Sequence, residues 1–585
     1  MTDESAAQVE MPRILRVAGP LVEVEGFAGA AMNDLLALGV SGLLAEIVAI
    51  REGMLTVQAY EYTGGLAPGD AAVPLRTPLS AALGPDLLGG VFDGLLRPLA
   101  SASTWLTPDA YRQHAERQWR FRPVVELGDE VDAGAVLGLI TDAGPVEYRI
   151  LVPPGSGGVV KSVVLEGNYP SHAVVATVAA TPVAITGSWP VRVARPYARR
   201  RDGVEPLHTG QRVLDLLFPV ARGGTAAVPG GFGTGKTVML QQLAKWCDAD
   251  VIVYVGCGER GNEMAEIVAE LSALTDPRTG GRLTDRTVII ANTSNMPMMA
   301  REASIYTGVT VAEHFRDMGY DAVVIADSTS RWAEALREFA SRTGQLPAEE
   351  GYPANLASAL AAFYERAGSV RTLGGLPGSV TVVGAVSPPG GDLSEPVTTH
   401  TERFVRCRWT LDRDLAYSRH YPAVSWSGSF SRDSDALGIV QVAAGDSGWL
   451  ARRARVAGVL AEAERLSALT ELVGIDALPG HQRMVVLGGR LLREGVLQQS
   501  ALSDNDAYCS SEKTAALVES MLAVLDRCQQ LVAAGVQAQQ IEELDFGPLI
   551  RVREAAGADD TAAVRGCRDK ILAVLAELTS TGTTR

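Results

Sequence analysis

Hydrophobic and polar positions alternate in short runs over the first eighty residues. Ile14-Leu-Arg-Val-Ala-Gly-Pro-Leu-Val-Glu-Val-Glu25 alternates around a Gly19-Pro20 break. Leu44 to Ile50 and Met54 to Tyr62 repeat the pattern across the turn Arg51-Glu52-Gly53. Period-two runs punctuated by glycine predict a small N-terminal β-barrel over residues 13–80, behind a disordered tail at 1–12. Residues 81–115, with Gly89-Gly-Val-Phe-Asp-Gly-Leu-Leu-Arg-Pro98, read as a connector. Glycine-punctuated strands return over 116–190, as in Gly157-Gly-Val-Val-Lys-Ser-Val-Val164, and predict an inserted β domain. A lipoyl-like carrier would need its modifiable lysine on a tight turn. Lys161 lies inside a strand pattern instead, which favours a structural insert.

The period changes near residue 200. Apolar runs Val251-Ile-Val-Tyr-Val255, Thr287-Val-Ile-Ile-Ala291, Ala322-Val-Val-Ile-Ala326 and Val380-Thr-Val-Val-Gly-Ala385 alternate with helical stretches. Continuous apolar strands of this kind predict a parallel α/β sheet over 200–435. After residue 435 the strands stop. Leu450–Leu472 and Ala515–Gly535 read as helices, with a further helical stretch opening at His481, so 436–578 is expected to be a helical domain. Residues 579–585 read as a second tail.

The chemistry concentrates where the α/β pattern begins. Val228-Pro-Gly-Gly-Phe-Gly-Thr-Gly-Lys-Thr-Val238 holds Gly230, Gly235, Lys236 and Thr237 in the spacing G-x-x-x-x-G-K-[ST], between a predicted strand and a predicted helix. Backbone N–H groups of Gly230, Gly231, Phe232, Gly233, Thr234, Gly235 and Val238 would face phosphate, and the helix dipole would add to them. Lys236 would reach the β- and γ-phosphates, and Thr237 would ligate Mg²⁺. Ligands of such sheets bind beyond the carboxyl ends of the strands, so the residues there matter most. Glu259, just past the first run, can orient an attacking water. Arg260 offers a charge-assisted hydrogen bond to hold it. The plain alternative is a surface Glu-Arg pair in a glycine turn. Asp327 ends the third run and is a candidate for the Mg²⁺ shell. Pro388-Pro-Gly-Gly-Asp-Leu-Ser-Glu395 is either a simple turn or a loop that senses nucleotide. Tyr421, in His420-Tyr-Pro-Ala423, either stacks on adenine or packs in the core.

Composition narrows the class. The chain has 585 residues, too many for one core, with 47% hydrophobic and 21% charged positions, ordinary for a globular protein. A net charge of -16 argues against sequence-independent nucleic-acid binding. Six scattered cysteines without a C-x-x-C pair suit neither a disulfide framework nor a zinc site. Met1-Thr-Asp-Glu-Ser5 is unlike a signal peptide, and no apolar run reaches the roughly 20 residues that span a bilayer.

Together these motifs resemble the catalytic A subunit of V-type (vacuolar/archaeal-type) rotary ATPases, in a bacterial-like form. The resemblance is carried by the phosphate loop and by Tyr254-Val-Gly-Cys-Gly-Glu-Arg-Gly-Asn-Glu-Met264 and Ala291-Asn-Thr-Ser-Asn-Met-Pro297. Arg301-Glu-Ala-Ser-Ile-Tyr-Thr-Gly308, Ala326-Asp-Ser-Thr-Ser-Arg-Trp-Ala-Glu-Ala-Leu-Arg-Glu338 and Glu350-Gly-Tyr-Pro353 extend it over almost the whole chain. It implies four parts: an N-terminal β-barrel, an inserted "bulge" domain, a RecA-like α/β nucleotide domain and a C-terminal helical domain. It implies ATP/ADP and Mg²⁺ at Lys236, Thr237 and Asp327, with Glu259 as catalytic carboxylate positioned by Arg260, and Tyr421 on the adenine side. Phe232 is a family feature of the loop. It further implies an alternating hexamer with three B subunits, each lending an arginine in trans, around a central rotor and beside a peripheral stalk. The assembly would lie peripherally on the cytoplasmic side of a membrane and couple ATP turnover to proton or sodium movement through a separate membrane sector. Two departures stand out. Gln498-Gln-Ser-Ala-Leu502 has Leu where the family usually has Phe, and Thr234 replaces the Cys of eukaryotic members. A non-catalytic nucleotide-binding subunit is the first competing reading, and the presence of Glu259 argues against it. A RecA-like nucleic-acid translocase or export ATPase is the second; the charge, the insert and the long helical end argue against that.

Overall fold

The computed structural model describes residues 11–99 and 117–581. Most of both expected tails and the second half of the expected connector lie outside the described residues. The chain divides into two compact units: Met1–Arg201 with Asp250–Val380, and Asp202–Ala249 with Thr381–Arg585.

The first unit begins with a six-stranded antiparallel sheet in the order Ile14–Ala18, Leu21–Glu25, Met54–Ala59, Leu43–Arg51, Asp34–Leu38, Ala72–Pro78. An Arg13–Ala71 bridge, with Ile14 N–H donating to Asp70 O at 2.9 Å, joins the outer strands and closes the barrel. Alternation sets its core. Val22, Val24 and Val57 point inward and are fully buried, while Glu25 faces out. The insert is a pair of four-stranded sheets. Lys161 is an exposed residue of its strand Gly158–Val163, so it occupies no carrier-type turn.

This unit also holds parallel strands in the order Asp321–Asp327, Val251–Cys257, Thr287–Asn292, Val91–Phe92. The last of these lies in the expected connector, where a two-residue strand leaves no periodicity to read. Every residue of Val251–Cys257 is buried, which explains its unbroken apolar sequence. Helix Met298–Asp317 crosses this strand at Gly308, where a Cβ would come within 2.4 Å of Val255 Cγ2.

In the second unit, strand Thr225–Pro229 runs parallel to the stretch Val382–Val386 and to Cys407–Arg408. The helical part follows the sequence periodicity: Trp449–Val473, Gly480–Leu492, Ser511–Ala533, Gly547–Ala555 and Thr561–Thr581. The helix expected from Ala515 starts earlier because the Ser510 hydroxyl accepts the Lys513 N–H and caps it. The last helix runs to Thr581, into the stretch expected to be a tail. Among the described residues, no helix is long and apolar enough to cross a membrane.

Candidate active site

The phosphate loop belongs to the second unit. Its strand Thr225–Pro229 is buried throughout and ends in the glycine turn. Gly233 and Gly235 have φ of +79° and +82°, a region that side chains bearing a Cβ disfavour. Gly235 is the N-cap of helix Lys236–Trp246, whose first turn carries no acidic residue, so the positive end of its dipole is not offset there. Thr234 is buried and donates its hydroxyl to Gly231 O at 2.9 Å, fixing the loop from within. Phe232 is 95% exposed, and Thr237 and Val238 are exposed at the helix start. Lys236 Nζ donates to Gly230 O (2.9 Å), Val386 O (3.2 Å) and Ser387 Oγ (2.5 Å). The ammonium is thus gathered among oxygens at the mouth of the loop. Ser387 directly precedes Pro388–Glu395. That segment turns at Pro389–Gly391 and ends with Glu395, which caps helix Pro396–Phe404 through Val397 N–H and Thr398 N–H.

Beside the loop lies a cleft of about 580 Å³ lined by Gly235, Val238, Tyr421, Gln498–Leu502 and Arg553. Tyr421 is 42% exposed, and a Cβ on Gly235 would sit 3.1 Å from its ring. The core alternative for Tyr421 therefore fails: the ring lines the cleft next to the phosphate loop. Leu502 is 98% exposed at the same cleft. Burial, then Arg493 and Arg553, push His420 down to about 4, so no imidazolium forms next to Tyr421 at neutral pH.

Glu259, Arg260 and Asp327 belong to the first unit. Strands Val251–Cys257 and Asp321–Asp327 are parallel neighbours, with Gly256 opposite Asp327. Asp327 is buried, and Tyr254 donates its phenol O–H to Asp327 Oδ2 at 3.1 Å. Burial and the Asp327 charge hold the Tyr254 phenol well above its usual range, so it stays a donor. The Glu259 turn is pinned by Gly258 N–H to Asn292 O (2.7 Å) and Ser294 N–H to Glu259 O (2.9 Å). Arg260 differs from expectation. Its side chain is 72% exposed and pairs with Glu263 at 3.7 Å, one helical turn on, rather than with Glu259. The helix Gly261–Ala273 starts directly after Arg260 and sends the side chain along its own surface. Two arginines lie against this turn: a Cβ on Gly258 would sit 2.8 Å from Arg331 Cβ and 3.1 Å from Arg301 Cδ, and Arg331 Nη1 pairs with Glu334 at 3.0 Å. Burial opposes the Arg331 charge, but Glu334, Glu259 and Glu263 raise its pKa. Arg331 stands in Ala326-Asp-Ser-Thr-Ser-Arg-Trp332, yet nothing in that spacing says which carboxylate it faces.

Mg²⁺ suits the donors present. In the second unit Thr237 offers an exposed hydroxyl, and in the first Asp327 offers a carboxylate beside Ser328 Oγ, a buried hydroxyl with no protein partner; each is a hard oxygen donor. Among the described residues no cluster of three or more His, Cys, Asp or Glu could hold a metal by itself.

Comparisons with known proteins place the chain in a family. The nucleotide-binding domain of the ATP synthase alpha/beta family matches residues 210–431, which include Lys236, Glu259, Asp327 and Tyr421. Its beta-barrel domain matches 14–76 and its barrel-sandwich domain 112–192, while the C-terminal domain of V and A type ATP synthase matches 443–541. The chain is 48% identical to the V-type ATP synthase alpha chain of Anaeromyxobacter dehalogenans, covering 97% of this chain and 99% of that one. It is 48% identical to the corresponding protein of Nitrosococcus oceani over 91% and 92%. It is 44% identical to the V-type ATP synthase alpha chain of Clostridium botulinum over 97% of this chain and 98% of that one. The assembled ATPase EscN of the enteropathogenic E. coli type III secretion system shares the fold alone, with a TM-score of 0.62 at 22% identity over 88% of this chain and 100% of that one. Four family domains follow one another along the chain in order, and relatives match it nearly end to end. The chain therefore belongs to the ATP synthase alpha/beta family, among its V-type alpha chains.

Proposed function

We propose that this chain is the catalytic subunit of a rotary V/A-type complex and makes or splits Mg-ATP in step with ion movement. Glu259 carries the proposal. It is a carboxylate on a pinned turn, one strand away from Asp327, in the same family domain as the phosphate loop. A subunit that only bound nucleotide would have no use for it. In hydrolysis Lys236 leaves its oxygen neighbours for the β- and γ-phosphates, and the loop N–H groups hold the remaining phosphate oxygens. Mg²⁺, when bound, neutralises phosphate charge, and we assign Thr237 and Asp327 to hold it. Glu259 orients the attacking water and accepts its proton, with Arg331 balancing the charge. We assign Arg260, exposed and paired only to a surface glutamate, to a face where a partner subunit can meet it. Tyr421 covers the adenine.

The names of the relatives support one chain of a multisubunit assembly. We propose an alternating ring with three B-type subunits that supply an arginine in trans, joined to central and peripheral stalks on the cytoplasmic side of a membrane. The ion is a proton or sodium. The test is Glu259→Gln in the assembled complex. Mg-nucleotide binding should persist while multi-site hydrolysis falls by about 10²–10⁴. Turnover at the wild-type rate would remove Glu259 from the mechanism.

A further inference from the structure

The cleft wall facing Tyr421 is the segment Gln498–Leu502, which continues from a helical turn, Arg493–Leu497, without a strand partner. Two of its backbone groups, Gln498 O and Ser500 N–H, take side-chain partners from one buried cluster. Arg212, with a fully buried side chain, donates from Nε to Val496 O (2.6 Å), from Nη2 to Gln498 O (2.6 Å) and from Nη1 to Asp506 Oδ1 (2.6 Å). Asp506, also fully buried, accepts on Oδ2 from Ser500 N–H (2.7 Å) and from Arg553 Nη1 (2.5 Å). Gln499 joins the two walls. Its N–H donates to Tyr421 O at 2.8 Å, and its Oε1 accepts Arg212 N–H at 2.8 Å.

Leu502, at the tip of this wall, is an aliphatic side chain. Its dispersion contact with a flat base falls off steeply with distance, so its value depends on where the backbone holds it. Asp506 carries its negative charge between two guanidinium groups, of which Arg553 also pairs with Glu554 at 2.7 Å, and it bonds the wall directly through Ser500. We propose that Asp506, bracketed by Arg212 and Arg553, is a positioning residue that sets the spacing between Tyr421 and Leu502 and so governs the base-dependent part of nucleotide affinity. The proposal rests on the reading of the cleft as the base site. The cluster touches no phosphate-loop residue, so phosphate recognition is separable from it.

The test uses the full chain and two ligands, ATP and inorganic tripolyphosphate, with binding measured by calorimetry. Asp506→Asn and Arg212→Lys should weaken ATP by about tenfold or more, leave tripolyphosphate within twofold, and narrow the preference for ATP over CTP. In the assembled enzyme KM should rise with kcat little changed, and Asp506→Glu should recover part of the loss. Equal weakening of both ligands, or of neither, overturns the proposal. If the variants fail to fold, amide exchange in the wild-type chain decides it. ATP, but not tripolyphosphate, should slow exchange across residues 498–502; equal protection by both overturns it. A wild-type chain that binds tripolyphosphate without preferring ATP rejects the cleft as a base site. One that binds neither rejects the nucleotide-binding reading itself.

Discussion

His208 shows how much a single side chain can owe to its neighbours. Its Nδ1 lies 2.8 Å from Asp215 and its Nε2 lies 3.0 Å from Ser511 Oγ. The arrangement has the outline of a nucleophile triad, but Asp215 pushes the imidazole up to about 9, so at neutral pH it is a cation and no base. Because the folded pKa is raised, this ion pair stabilises fully below about 6.5 and is lost as pH rises through about 9. Its value is on the order of 3 kcal/mol at most. Thermal melts of His208→Leu should therefore lose stability relative to wild type at pH 6–7 and converge with it near pH 10. A pH-independent difference would place the effect in packing. Gly235 gives a second residue-level expectation. Its φ of +82° disfavours any Cβ and a methyl there would push on the Tyr421 ring, so Gly235→Ala should weaken ATP binding by about tenfold. The glycine was legible from its motif. His208 was not, because a lone histidine in Pro206-Leu-His-Thr-Gly210 carries no sign that Asp215 and Ser511 fold against its two ring nitrogens.

At the level of elements, the periodicity of the chain located the strands and long helices well and their ends less well. Ser510 as a cap and the short strand Val91–Phe92 depend on a single hydrogen bond or a neighbouring strand that no window average senses. Helix Met298–Asp317 packs closely on the strand Val251–Cys257. Gly308→Val should force it off Val255 and cost about 1–3 kcal/mol in urea denaturation. The same helix is tied by charge. Glu313 is buried, accepting from Arg366 Nε at 3.0 Å and from Arg195 N–H at 3.0 Å. Removing it as Glu313→Ala leaves a buried guanidinium unpaired, and about 3–5 kcal/mol of stability should be lost in the same measurement.

For the molecule as a whole, catalysis should need more than this chain. The proposed arginine comes from a partner, so the isolated chain should bind Mg-ATP yet turn over about 10³–10⁵ more slowly than the complex. Adding the B-type subunit should restore the rate; fast hydrolysis by the isolated chain would reject the trans arginine. By itself the sequence determined the order of β, α/β and helical parts, the strand–glycine turn–helix around Lys236, and the place of Glu259 just past one strand and of Asp327 at the end of another. Each of these is written in local terms, as a period of two or 3.6 or as a residue at the end of an apolar run. Only the tertiary structure decided that Arg260 turns to Glu263 and Arg331 to Glu334, that Tyr421 and Leu502 share a cleft, and that Asp506 lies between Arg212 and Arg553. Partner choice among charges depends on distance and burial after folding, and residues three hundred positions apart encode neither.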